Sequence, residues 1–115
     1  MKADTHHLSW SEFQKVDMRV GTIMKAEIFK EARNPAFKLE IDFGEFGVKR
    51  SSAQITKLYE TDGLIGKQVV AVLNFPPKQI ATMMSECLVI AAVDDETGTS
   101  LLSPDHKVKN GTRIS

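Results

Sequence analysis

"FKLEIDFGEFGVKRSSA", residues 37–53, is the stretch whose reading decides the fold. Phe37, Leu39, Ile41 and Phe43 alternate with Lys38, Glu40 and Asp42, the period-two pattern of a strand with one face in a core and one in water. Gly44-Glu45-Phe46-Gly47 then supplies a turn, and Val48 to Ala53 reads as a second strand returning beside the first. An antiparallel pair of this kind needs further strands to cover its apolar face. The flanking sequence provides candidates.

Upstream, Val16, Met18, Val20, Met24, Ala26 and Ile28 alternate with Asp17, Arg19, Gly21, Lys25 and Glu27, giving one long strand with its even-numbered residues inward. Gly21 suggests a bulge or sharp bend within it, of the sort a small barrel needs to curl on itself. Downstream, Ile55 to Tyr59 fits a helical turn, Gln68 to Leu73 a fourth strand and Leu88 to Val93 a fifth. Asp94 to Gly98 reads as a turn, Leu101-Leu102 as a short apolar stop and Pro104 to Gly111 as a polar loop. Before the first strand, Ser9 with Glu12 three residues on is a capping-box signature, for a short helix whose Trp10 and Phe13 share a face. The expected class is all-β, with five strands and one small helix between the third and fourth. An OB-fold barrel fits this order, and a generic small barrel fits nearly as well.

With 115 residues and no repeat or linker, the chain is expected to be one domain, residues 9–115, preceded by a flexible tail, residues 1–8. The N-terminal MKADTHHLSW lacks the apolar core of a signal peptide and Cys87 is the single cysteine, so a cytoplasmic location is expected. No apolar run approaches the length of a membrane span. Fifteen Lys and Arg balance fifteen Asp and Glu, so RNA binding would need a local basic patch, whereas neutral or mixed partners such as peptides are less penalised.

Enzyme chemistry finds little support. His6, His7 and His106 have no metal-ligand spacing, Cys87 follows a carboxylate that opposes thiolate formation, and Asp94-Asp95-Glu96 reads as a solvated turn. No metal, cofactor or catalytic residue is expected. The unusual stretch is "NFPPKQIATMMSECL", residues 74–88, which is far longer than a hairpin requires. Phe75 and Pro76-Pro77 offer a stiff apolar wall, Met83 and Met84 adaptable contacts, and Lys78 with Arg50 of the "KRSSAQ" segment can meet phosphate or carboxylate. The bland alternative is that Phe75, Ile80 and one methionine plug the barrel end. Val108 and Ile114, with Trp10 and Phe13, leave apolar side chains in the terminal segments, which are expected to join two copies of the chain.

Five blocks in order, "FQKVDMRVGTI" (13–23), "ARNPAFKLEIDFG" (32–44), "SSAQIT" (51–56), "GLIGKQVVAVLNFPPKQIA" (63–81) and "MSECLVIAA" (84–92), resemble the tRNA-binding-domain family. That family includes the bacterial CsaA proteins and the domain appended to methionyl-tRNA synthetases, and "SSAQI" and "PAFKL" favour the CsaA branch. The resemblance implies an OB-fold homodimer acting as a chaperone in protein export, with unfolded or precursor polypeptides as partners and tRNA as the alternative. It also implies a ligand face at Arg33, Lys38, Arg50, Ser51, Gln54, Asn74, Pro77, Lys78 and Ser85, to which Phe75 and Met84 are added from the reading above. Thr82 departs from the relatives, which often carry glycine there. Glycine can take a positive φ that threonine resists.

Overall fold

A computed structural model describes residues 6–115 of the chain, so most of the expected N-terminal tail lies outside the described residues. The helix expected at Ser9 is present as α1 (Trp10–Gln14). Ser9 Oγ accepts from the Glu12 N–H at 3.1 Å and the Glu12 carboxylate accepts from the Ser9 N–H at 2.9 Å. That second bond holds the Glu12 carboxyl below its usual pKa.

Strands β1 (Met18–Ile28), β2 (Phe37–Asp42) and β3 (Val48–Ala53) form an antiparallel meander, and β4 (Gln68–Val72) pairs with the first half of β1. The short helix α2 (Thr61–Leu64) precedes β4 and plugs the barrel with the fully buried Leu64. It lies after the Ile55 to Tyr59 segment that was expected to be helical. The hairpin β5 (Lys78–Ile80) and β6 (Met83–Ser85) is built from the long 74–88 stretch. The expected fifth strand is divided in two. Its first part, β7 (Leu88–Val89), pairs with β4, while β8 (Ala91–Asp94) turns away to pair with β9 (Gly98–Leu101), an unexpected strand that ends at Leu101 of the expected apolar stop. The main sheet runs β3-β2-β1-β4-β7 and curls into a nearly closed five-stranded barrel. Phe43, Ile23, Leu39, Ile41 and Val69 fill it.

The inward pattern expected of the first strand holds only in part. The pairing slips between Ile23 and Lys25, a bulge that reverses which parity faces the core. Before it the odd residues point inward, with Ile23 fully buried. After it Ala26 points inward opposite Leu39, and Met24 and Ile28 are exposed. Val20, on the outer side, is buried because the C-terminal segment lies along β1 where β2 no longer pairs. Val20 N–H donates to Thr112 O at 2.9 Å and Ile114 N–H to Met18 O at 2.9 Å. Arg19 pins this segment, donating to Gly111 O at 3.2 Å while stacking on Phe46.

Gly21 is therefore not the bulge. It is where β1 must let Phe43 into the barrel, since a Cβ at Gly21 would lie 2.6 Å from the Phe43 ring and 2.7 Å from Ile41. Gly21→Ala should cost about 1–3 kcal/mol by overpacking, measured by denaturant unfolding. A loss below about 0.5 kcal/mol would contradict this packing.

Candidate functional site

The 74–88 stretch crosses the barrel wall because three sets of contacts hold it there. Asn74 fixes its start: the side-chain oxygen accepts from the Asp17 N–H at 2.9 Å and the side-chain nitrogen donates to Lys15 O at 2.6 Å. Met83 fixes its middle, buried with Phe29 and Ala36 in a small second core to which Ile80 adds. Glu86 fixes its end. Its N–H donates to Arg50 O at 2.8 Å, its carboxylate accepts from the Arg50 N–H at 2.9 Å, and the same oxygen lies 3.5 Å from the Arg50 guanidinium.

The hairpin turn is Ala81-Thr82, and the left-handed residue is Ala81, with φ 48°. Positive φ at the first central position alone is the pattern of a type II′ turn, so Thr82 is spared the conformation it would resist. The plug reading is half right, because Ile80 and Met83 pack inward while Phe75 is 56% exposed.

Between this stretch and the end of β3 lies a groove of about 520 Å³. Phe75, Pro76, Ile80, Cys87 and Leu88 make its apolar floor and walls; Ser52, Gln54, Lys78 and Glu86 stand at the rim. Of the residues expected at the ligand face, the groove gathers Gln54, Phe75, Lys78 and Ser85. Ser85 Oγ accepts from the Ser52 N–H at 3.3 Å, tying hairpin to strand. Asn74 is committed to its clamp, and Ser51 is buried beneath the groove with 1% exposure. Pro77 and Met84 are exposed beside the groove without lining it, and Arg33 lines a separate hollow with Tyr59 and Thr61 at the barrel end. Pro76 lines the groove as the apolar wall expected of it, Ile80 was expected only as a plug, and Glu86 and Leu88 were not anticipated. An acid placed just before a buried strand start and able to face Lys49-Arg50 was the available signal for Glu86.

Arg50 and Lys38 belong to a different surface, the outer face of β1, β2 and β3. The register sets Lys25 opposite Glu40 and Glu40 opposite Arg50 in one row, and Glu27 opposite Lys38 in the next. Lys38 Nζ lies 3.2 Å from Glu27. Opposite charges thus neighbour one another in both directions, an arrangement that stabilises the sheet and cancels much of its own field.

Cys87 forms part of the groove floor and is a poor nucleophile. Burial pushes its thiol up to about 11, with the Ser51 hydroxyl partly offsetting that rise. Among the described residues no three His, Cys, Asp or Glu side chains converge as metal ligands, and no helix is long and apolar enough to cross a membrane.

Residues 18–113 match the model of the family described as "Putative tRNA binding domain". The chaperone CsaA from Bacillus anthracis is 52% identical, with a TM-score of 0.90 over 96% of this chain and 100% of that one. CsaA from Picrophilus torridus is 48% identical, with a TM-score of 0.89 over 95% of this chain and 100% of the other. The methionine–tRNA ligase of Methanococcoides burtonii is 34% identical over 93% of this chain, which spans 16% of that protein's length.

The thiol makes a prediction. A Cys87 pKa raised from an ordinary 9.0 to about 11 keeps the folded thiol neutral where the unfolded one ionises. Its stabilising contribution is complete below pH 9 and is lost as pH rises toward 11, by roughly 2–3 kcal/mol. Unfolding of the parent and Cys87→Ala across that range should show this fall in the parent alone. Equal slopes would contradict the burial of the thiol.

Proposed function

The chain belongs to the tRNA-binding-domain family and is of its CsaA type, and from that premise we propose that it is a non-enzymatic chaperone binding unfolded or pre-export polypeptides in the cytoplasm through the groove at Phe75. The observation that carries this reading is the distribution of charge. Two of the cations that an RNA backbone would use, Lys38 and Arg50, are each paired to a carboxylate, and the cleft they line with Lys25 also holds Glu27 and Glu40. The hollow beside it is apolar with a mixed rim, which suits a polypeptide. CsaA proteins of known structure carry the description chaperone, which agrees.

tRNA binding is the second reading. The family model favours it, as does the exposed Lys78, which has no carboxylate partner among the described residues. Salt separates the two. Affinity for tRNA should fall with log salt at about 0.7–0.9 per phosphate contact, whereas an apolar segment held mainly by buried area should respond little. An unfolded polypeptide should remain bound at physiological salt after tRNA has dissociated. Phe75→Ala should weaken the polypeptide about tenfold and tRNA less, and Lys78→Ala should do the reverse. Retention of tRNA with undetectable polypeptide binding would transfer the function to the second reading.

The terminal segments are proposed to join two copies. Trp10 is 86% exposed and forms a hollow of about 720 Å³ with Phe13, Val16 and Ile114. Arg113 donates to Gln14 O at 2.8 Å, so helix and tail present one surface, while the half-buried Val108 sits apart against Gln68. Light scattering at micromolar concentration should give about twice the chain mass of 12.8 kDa, and Trp10→Ala should reduce it. A parent that scatters as a monomer would contradict the dimer.

A further inference from the structure

The C-terminal segment turns at Asn110-Gly111, the only Asn-Gly pair in the chain. The fold demands both residues. Gly111 has φ 92°, and a Cβ there would lie 2.8 Å from Phe43 O and 3.3 Å from the Phe46 ring. Asn110 Oδ1 accepts from Thr22 Oγ1 at 2.7 Å and from Gln68 Nε2 at 3.2 Å, which ties the turn to β1 and β4. The same pair is the most labile in the sequence. A main-chain nitrogen can attack the carboxamide of the Asn before it, and glycine leaves that nitrogen unshielded. Asn34 precedes Pro35, which has no N–H, and Asn74 precedes the bulky Phe75.

The docked segment holds this reaction back. Gly111 N–H donates to Val20 O at 2.7 Å, which keeps its proton from solvent base, and the carboxamide is fixed by Thr22 and Gln68. Few contacts keep the segment in place. Thr112 O and Ile114 N–H bond to β1, Arg19 donates to Gly111 O, and Arg113 donates to Gln14 O. No residue from Leu101 to Ser115 is fully buried. A chain end held in this way opens far more often than the barrel unfolds.

We propose that Asn110 is a deamidation site gated by the C-terminal segment, and that its isoaspartyl product cannot dock again. In the open state the Gly111 nitrogen gives its proton to solvent base and bonds to Asn110 Cγ. The Cγ–Nδ2 bond breaks, and ammonia leaves with a proton returned from water. Water then opens the cyclic imide at either carbonyl. Opening at Cγ gives aspartate, whose carboxylate can accept the same bonds from Thr22 and Gln68. Opening at the main-chain carbonyl gives isoaspartate, which lengthens the main chain at a turn with no slack, where a Cβ on Gly44 would meet Asn110 O at 2.5 Å. Gly111 N–H and Thr112 O can then no longer meet Val20 together. Arg113 and Ile114 leave with the segment, so the pairing surface proposed above is lost as well.

The parent, Arg19→Ala and Arg113→Ala proteins are aged in mildly alkaline buffer beside a peptide of residues 107–115, and position 110 is read by peptide mass spectrometry. The parent should convert at least about tenfold more slowly than the peptide, and Arg19→Ala at least about threefold faster than the parent. Arg113→Ala, whose exposed side chain gives up only the bond to Gln14 O, should lie between them. A parent as fast as the peptide, or variants no faster than the parent, would overturn the gate. In the isolated isoaspartyl fraction the Val20 and Ile114 amides should lose their protection from hydrogen exchange, and in the aspartyl fraction keep it. Equal protection in both would overturn the claim that isoaspartate cannot dock. The isoaspartyl fraction of a dimeric parent should scatter as a monomer. A dimeric fraction would overturn the effect on pairing, whereas a monomeric parent would fail the pairing reading and leave the chemistry standing.

Discussion

Arg50 and Glu86 hold the two ends of the barrel sheet together. Two main-chain bonds at Arg50, one to the Glu86 N–H and one to its carboxylate, substitute for a ladder that β3 and β7 do not form. The rest of the site depends on this junction. It returns the 74–88 stretch to the barrel after its excursion, so that Phe75, Pro76 and Ile80 face the end of β3 across a groove. It also removes one cation and one anion from the set of free charges. Beyond the junction the Ser52 N–H to Ser85 Oγ bond ties the hairpin to β3 a second time, and the groove lies between the two.

A second constraint acts through the bulge in β1. By reversing parity between Ile23 and Lys25 it lets one strand build two surfaces. The first half puts Ile23 in the core and offers its other side to the C-terminal segment; the second half puts Lys25 and Glu27 into the charged rows with Glu40, Lys38 and Arg50. A chain of zero net charge could still have carried a basic stripe with its acids elsewhere. The register instead interleaves the two signs, which weakens long-range attraction for a polyanion.

Where local pattern and tertiary environment agree, the sequence was legible. Phe37 to Asp42 alternates cleanly, and it and Val48 to Ala53 beyond the turn form strands at those positions. The capping box at Ser9 and the turn at Asp94, whose carboxylate accepts from the Glu96 and Thr97 N–H groups, depend on neighbours three residues away or fewer. The β1 bulge was hidden because Met24 and Ile28 are apolar yet exposed, which makes the strand look uniform. Sequence spacing alone did not distinguish Met83 from Met84; the type II′ turn at Ala81 does, by aiming the first at Phe29. Asn74 and Ser51 were expected at the ligand face, but the contacts that hold them lie far off in the chain or beneath the strand. Both turn out to support the groove from behind.

Amide hydrogen exchange with and without a bound unfolded polypeptide tests the central claim most directly, because it reports on main-chain groups at both candidate surfaces in one measurement. The groove reading predicts that slowed exchange falls on residues 52–55 and 75–89, with residues 24–28 and 38–40 unchanged. Slowed exchange at 24–28 and 38–40, with the 75–89 stretch unaffected, would place the partner on the charged outer face and contradict it.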